Sequence, residues 1–119
     1  MQKPIVKRSR IEIEIGLNAD KHPESIIWQT SDDPQGKGGQ ECKAMLLSLF
    51  DKEHLDTLKI DLWTTEMQVA EMDRLMFHTL RSLADTYFRA TNNIDMANDM
   101  QSFVDYFGKK TGIIPPEEK

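Results

Sequence analysis

Residues 57–67, TLKIDLWTTEM, contain the point at which the hydrophobic rhythm of the chain changes. Leu58, Ile60 and Leu62 alternate with polar neighbours, the period of a half-buried strand, and beyond Thr64–Thr65 the apolar residues recur every third or fourth place. Thr65 followed by Gln68 has the spacing of a capping box, which predicts a helix with Thr65 as its N-cap and Glu66 placing negative charge at the positive end of the helix dipole.

Downstream, Val69, Met72, Met76, Leu80, Leu83 and Tyr87 form one helical stripe, widened on one flank by Phe77, Ala84 and Phe88. The arc is broader than the ~100° stripe of a helix lying on a single surface, so this helix is expected to have two neighbours. One is a second helix after the break at Thr91-Asn92-Asn93, where Ile94, Ala97, Met100, Phe103, Val104 and Phe107 fall at helical spacing. Gly108 or Gly112 is expected to end it, and Pro115-Pro116 stops any continuation.

Upstream, CKAMLLSLF (42–50) consists largely of good helix formers, yet TLKIDLW needs an antiparallel partner, and the neighbouring segment across the polar corner DKEHLD supplies it. RIEIEIGL (10–17) alternates, NADKHP (18–23) has turn chemistry, and ESIIWQT (24–30) reads as a second strand, so the two form a hairpin. SDDPQGKGGQE (31–41) is expected to be the connection between two hairpins. Gly36, Gly38 and Gly39 flank Lys37 there, but the residue after the lysine is not Ser or Thr, so a P-loop is excluded. The expected fold class is α+β: a four-stranded antiparallel sheet made of two hairpins, with two C-terminal helices packed on one face. Residues 1–119 are expected to form a single domain, with 1–9 a basic flexible lead-in, 10–112 the folded core and 113–119 a flexible tail.

The chain carries 15 basic and 20 acidic residues, a net charge of −5. The first ten residues hold four cations and no acid, leaving 11 basic against 20 acidic residues, or −9, in the remainder. A nucleic-acid partner wants a basic face on the folded body, so none is expected. The charged start leads into IEIEIG rather than an apolar run, so it is not a signal peptide, and no stretch approaches the ~20 apolar residues that span a bilayer. A cytoplasmic location without membrane insertion is expected. The lone cysteine, Cys42, excludes an intrachain disulfide and reads as a small half-buried apolar side chain.

Candidates for chemistry are few. His22 and His54 lie in predicted turns and His78 on a solvated helix face, so no metal is expected. No nucleophile elbow or dinucleotide fingerprint occurs, and the chain is expected to be neither an enzyme nor a cofactor carrier. Glu12, Glu14, Lys59 and Asp61 are expected to share one sheet face as cross-strand charge pairs. The methionines of the helical half, Met67, Met72, Met76, Met96 and Met100, read as core filler. Trp63 falls by parity with Thr57, Lys59 and Asp61, opposite Leu58, Ile60 and Leu62. An indole on a polar face either packs over the end of the sheet, the favoured reading, or anchors a partner or second subunit.

The ordered runs KAMLLS (43–48), IDLWT (60–64), LADTYFRAT (83–91) and FVDYF (103–107), with a methionine-bearing helix start between the second and third, resemble the GldC-type gliding-motility accessory proteins of Bacteroidota. The likeness extends from strand one to the second helix and is densest over 44–106. It implies a small soluble protein without a signal peptide, supporting the gliding or associated secretion machinery, and it carries no catalytic residues. Two functional readings follow. One is a module that binds a protein of that machinery through the open sheet face, with Trp63, Lys59, Asp61 and Trp28 as contacts. The other is a holdase chaperone, because the element order is also that of SecB-type export chaperones; a chaperone is expected to assemble into a homo-oligomer with an extended apolar groove, a module to present a compact patch to one partner.

Overall fold

The computed structural model describes residues 3–33 and 38–116. The chain divides between Met67 and Gln68 into two units, an N-terminal β unit and a C-terminal helical hairpin. Parts of the expected flexible lead-in (1–2), of the inter-hairpin loop (34–37, including Gly36 and Lys37) and of the tail (117–119) lie outside the described residues.

Among its described residues the β unit holds five strands rather than four: β1 (Ile11–Leu17), β2 (Pro23–Thr30), β3 (Gln40–Cys42), β4 (Ala44–Phe50) and β5 (Thr57–Trp63). They form two antiparallel sheets, ordered β1-β2-β3 and β4-β5. The expected hairpins are both present, 11–30 and 44–63. The expected third strand, 42–50, starts instead at Ala44, and the end of the expected connecting loop, 31–41, forms with Cys42 the additional strand β3; the pairing changes at Lys43, since Gln40–Cys42 pair with β2 and Ala44–Phe50 with β5. The Lys43 carbonyl at the break accepts the Thr64 N–H at 2.7 Å.

On the three-stranded sheet, Ile15, Ile26 and Cys42 line up across the strands, as do Ile13, Trp28 and Gln40. Ile26, flanked on both sides, is 1% exposed. The β1–β2 turn is closed by Asn18, whose Oδ1 accepts the N–H groups of Asp20 (2.9 Å) and His22 (3.0 Å), while Lys21 takes the left-handed conformation at φ 65°.

The β4–β5 corner is organised by Asp51. Its Oδ2 accepts the His54 N–H at 2.6 Å and the Glu53 N–H at 3.2 Å, and lies 3.0 Å from His54 Nδ1. These bonds, the His54 backbone donor foremost, favour the carboxylate and hold its pKa below the ordinary aspartate value. Any stability that this cap contributes is therefore fully present above the pKa of the unfolded chain and is lost as pH falls from there through the lower folded value. The carboxyl resonance of Asp51 is expected to titrate with a midpoint below 3.8, and Asp51→Asn is expected to flatten the acid limb of a stability–pH curve. A midpoint at or above that value would mean the cap does not form in solution.

The helical unit consists of α1 (Val69–Thr91) and α2 (Ile94–Lys110). The expected N-cap, Thr65, is not one. Its N–H donates to the Pro23 carbonyl (3.1 Å) and its hydroxyl to Glu24 Oε2 (2.9 Å), so it belongs to the β unit. The N-cap is Gln68, and Glu71, not Glu66, is the acid of the first turn, accepting the Gln68 N–H at 3.0 Å. The break at 91–93 works as expected: Asn92 ends α1 at φ 57°, and Asn93 caps α2 by accepting the Met96 N–H at 3.1 Å. Gly112, at φ 79°, is the stop after α2. Gly108 lies inside the helix and is buried, because a Cβ there would approach Phe77 Cε1 to 2.6 Å and Ile114 Cδ1 to 2.5 Å.

Burial also follows a different line from the expected stripe. Phe77 and Ala84, assigned to its flank, are the buried residues of α1, while Met72, Met76, Leu80 and Tyr87 are half-buried and Val69 and Leu83 exposed. In α2 the buried set is Ala97, Val104 and Gly108, and Phe103 is exposed. The small residues Ala84, Ala97 and Gly108 are all buried, and at Gly108 a side chain would meet the Phe77 ring of the other helix, so the contact between α1 and α2 involves the flank of the stripe.

Candidate protein-binding surface

A seven-residue ribbon of two strands is at best marginally stable alone in water, so the surroundings of β4–β5 matter. Its register places Met45, Leu47 and Leu49 opposite Leu62, Ile60 and Leu58 on one face. The other face carries Ala44 opposite Trp63, Leu46 opposite Asp61, Ser48 opposite Lys59 and Phe50 opposite Thr57. The parity inferred for Trp63 is correct. Each face has exposed members, Leu58 at 56%, Trp63 at 55% and Phe50 at 68%, while Met45, Leu46, Leu47 and Leu62 are half-buried.

On the mixed face, Lys59 Nζ contacts Asp61 Oδ1 at 3.3 Å and donates to Ser48 Oγ at 3.0 Å. Lys59 and Asp61 therefore sit in a local network beside Trp63. The pairing expected between them and Glu12 and Glu14 does not occur, because the two pairs belong to separate sheets: Glu12 instead accepts from Gln29 (3.1 Å) and lies 3.8 Å from Arg10. Beside Trp63 is a shallow cavity of about 350 Å³, with His22, Pro23, Asp61 and Thr65 among its walls. Thr65 of that wall donates its hydroxyl at 2.9 Å to Glu24, whose carboxylate also accepts Asn18 Nδ2 at 2.8 Å. The Asn18 bond, with that of Thr65, lowers the Glu24 pKa. Thr64, at the same corner, is 3% exposed, and its hydroxyl has no partner among the described residues.

The structure thus brings together Trp63, Lys59 and Asp61. It does not bring Trp28 to them: that indole is half-buried opposite Ile13 and lines a different cavity, with Gln40 and Asp32. Phe50, exposed on the same face as Trp63, is a residue of this surface that sequence reasoning missed. Its face depends on the register across the Asp51 turn, and only the Phe50–Thr57 pairing reveals it.

Chemistry-bearing clusters are sparse. Among the described residues no three His, Cys, Asp or Glu side chains converge as metal ligands, and no helix is long and apolar enough to cross a membrane. The family model described as gliding motility-associated protein GldC-like matches residues 23–113, from the start of β2 to just past α2. The match begins after β1, a narrower span than the resemblance of the sequence motifs. No curated protein and no solved structure matches the chain.

Proposed function

Because the chain belongs to the GldC-like family of gliding motility-associated proteins, we propose that it acts without catalysis, in the cytoplasm, as a module that binds a protein of the gliding or associated secretion machinery. The observation that carries this reading is the mixed face of β4–β5. A large indole stands mostly in solvent, next to an ion pair and across the ribbon from nothing bulkier than Ala44, with a shallow cavity at its side. Trp is enriched among the few side chains that dominate interface energetics, and charged groups at the rim of such a contact set orientation. Phe50 extends the same face toward the Asp51 corner, and Trp28 is a separate feature of the other sheet.

Trp63→Ala tests the reading. Loss of the indole is expected to weaken partner binding by about 2 kcal/mol or more while lowering the thermal midpoint far less than truncation of a fully buried aromatic would, since more than half of the residue stands in solvent. The measurement pairs calorimetric melting of the purified variant with cross-linked capture from gliding cells, wild type against variant. A collapse of the melting temperature would assign Trp63 to packing at the sheet corner, and undiminished capture would move the binding face elsewhere.

A further inference from the structure

β1 is the outermost strand of its sheet, and β2 is its neighbour on one side only. Arg10 continues the ladder by one step: its carbonyl accepts the Ser31 N–H at 3.0 Å, and its N–H donates to Ser31 Oγ at 2.9 Å. Arg10 therefore turns its backbone polar groups toward β2. In an antiparallel ladder this alternates, so Ile11, Ile13 and Ile15 turn theirs toward the open edge. Ile11 is 70% and Ile13 39% exposed. No proline interrupts 11–17, the one irregularity in register falls at Gly16/Leu17, and the charged residues all lie on a single face. Such an edge is a template for another strand.

The charges specify which strand. Arg10, Glu12 and Glu14 share one face, Arg8 falls at the same parity when the strand is extended back by two residues, and the signs then reverse about Ile11. We infer that β1 pairs antiparallel with β1 of a second copy, with Ile11 on the two-fold axis. Arg10 then faces Glu12 of the second copy, Arg8 faces its Glu14, and the symmetry repeats both pairs, giving four opposite-charge pairs. Ile11 pairs with Ile11 and Ser9 with Ile13; Ile11 and Ile13 turn their N–H and C=O groups to the open edge, and Ser9 does the same once residues 8–10 extend the strand in the dimer, so the same register also forms the hydrogen bonds. The neighbouring registers fail on charge. An axis at Glu12 or Arg10 sets that residue against itself, and an axis at Ile13 sets Glu12 against Glu14. Like charges directly opposite one another are destabilising. A two-fold contact requires a self-complementary surface, and this strand is one. The result is a continuous six-stranded sheet. The existing Arg10–Glu12 contact within one chain, at 3.8 Å and largely exposed, is weak enough to be exchanged for the cross-strand pair.

Sedimentation equilibrium of the full chain over a range of concentrations tests the inference. Wild type is expected to dimerise, more weakly as salt is raised. Reversing one half of the pattern, Arg8→Glu with Arg10→Glu, is expected to raise the dimer dissociation constant about tenfold or more, as is Glu12→Arg with Glu14→Arg. Mixing the all-acidic and all-basic variants is expected to restore a heterodimer, which misfolding of either would not allow. Ile11→Pro, which removes an outward N–H and leaves the β2 ladder intact, is expected to give a monomer with unchanged circular dichroism. A monomeric wild type would overturn the inference, including one that pairs its β1 only with a strand of another protein. So would a dimer indifferent to both charge reversals.

Discussion

Phe77→Ala is expected to lower the stability of the helical unit by about 3–5 kcal/mol, the range of buried aromatic truncations. Phe77 is 6% exposed, and its ring occupies the space that Gly108 leaves by having no side chain. The Arg81 guanidinium covers the ring at 5.4 Å from its centroid. Glycine on one side supplies no side chain to refill the void, and Ile114, whose Cδ1 shares the space over Gly108, is too small to replace a phenyl ring. Met76 and Leu80, the centre of the stripe read from sequence, are only half-buried, so Met76→Ala is expected to cost less than Phe77→Ala. Chemical denaturation followed by far-ultraviolet circular dichroism gives the comparison. If Met76→Ala proves the more damaging of the two, the helices pack along the stripe and not along its flank.

Ile26→Ala is expected to cost about 2–5 kcal/mol in the β unit, toward the upper part of that range. Ile26 is the central residue of a three-strand row, between Ile15 and Cys42, and at 1% exposure it is among the most completely buried large side chains of the chain. Row neighbours held by backbone ladders on both sides cannot collapse into the space. Trp28, two residues along on the same face, reports the transition by fluorescence, read on a Trp63→Phe background so that it is the sole indole. A shift corresponding to less than about 1 kcal/mol would mean that the sheet relaxes around the void, in contrast to the close packing expected of a core.

Several elements were legible because the information that sets them is local. The alternation of 11–17 and 57–63 reflects the two-residue period of a strand. The break at Thr91-Asn92-Asn93 depends on the ability of asparagine to adopt the left-handed conformation and to cap from its own side chain. The face on which Trp63 stands followed from parity alone, as did its association with Lys59 and Asp61. Motif order was enough to identify the family later matched over 23–113.

What the tertiary structure decided was every choice between equivalent local options. Thr65 and Gln68 both have cap-forming chemistry, and Thr65 is withdrawn from the helix because Pro23 and Glu24, more than forty residues earlier, take its N–H and hydroxyl. Lys43 carries no breaking signal, yet the pairing changes there because β2 and β5 claim the residues on either side of it. Phe77 rather than Met76 is buried because its ring lies against Gly108 of α2, where the missing side chain leaves room for it, a property of two helices together. Periodicity within one segment determines which residues share a face. Which face is covered, and which residue ends the element, depends on partners distant in sequence whose hydrogen bonds and volumes outweigh local preferences of comparable size.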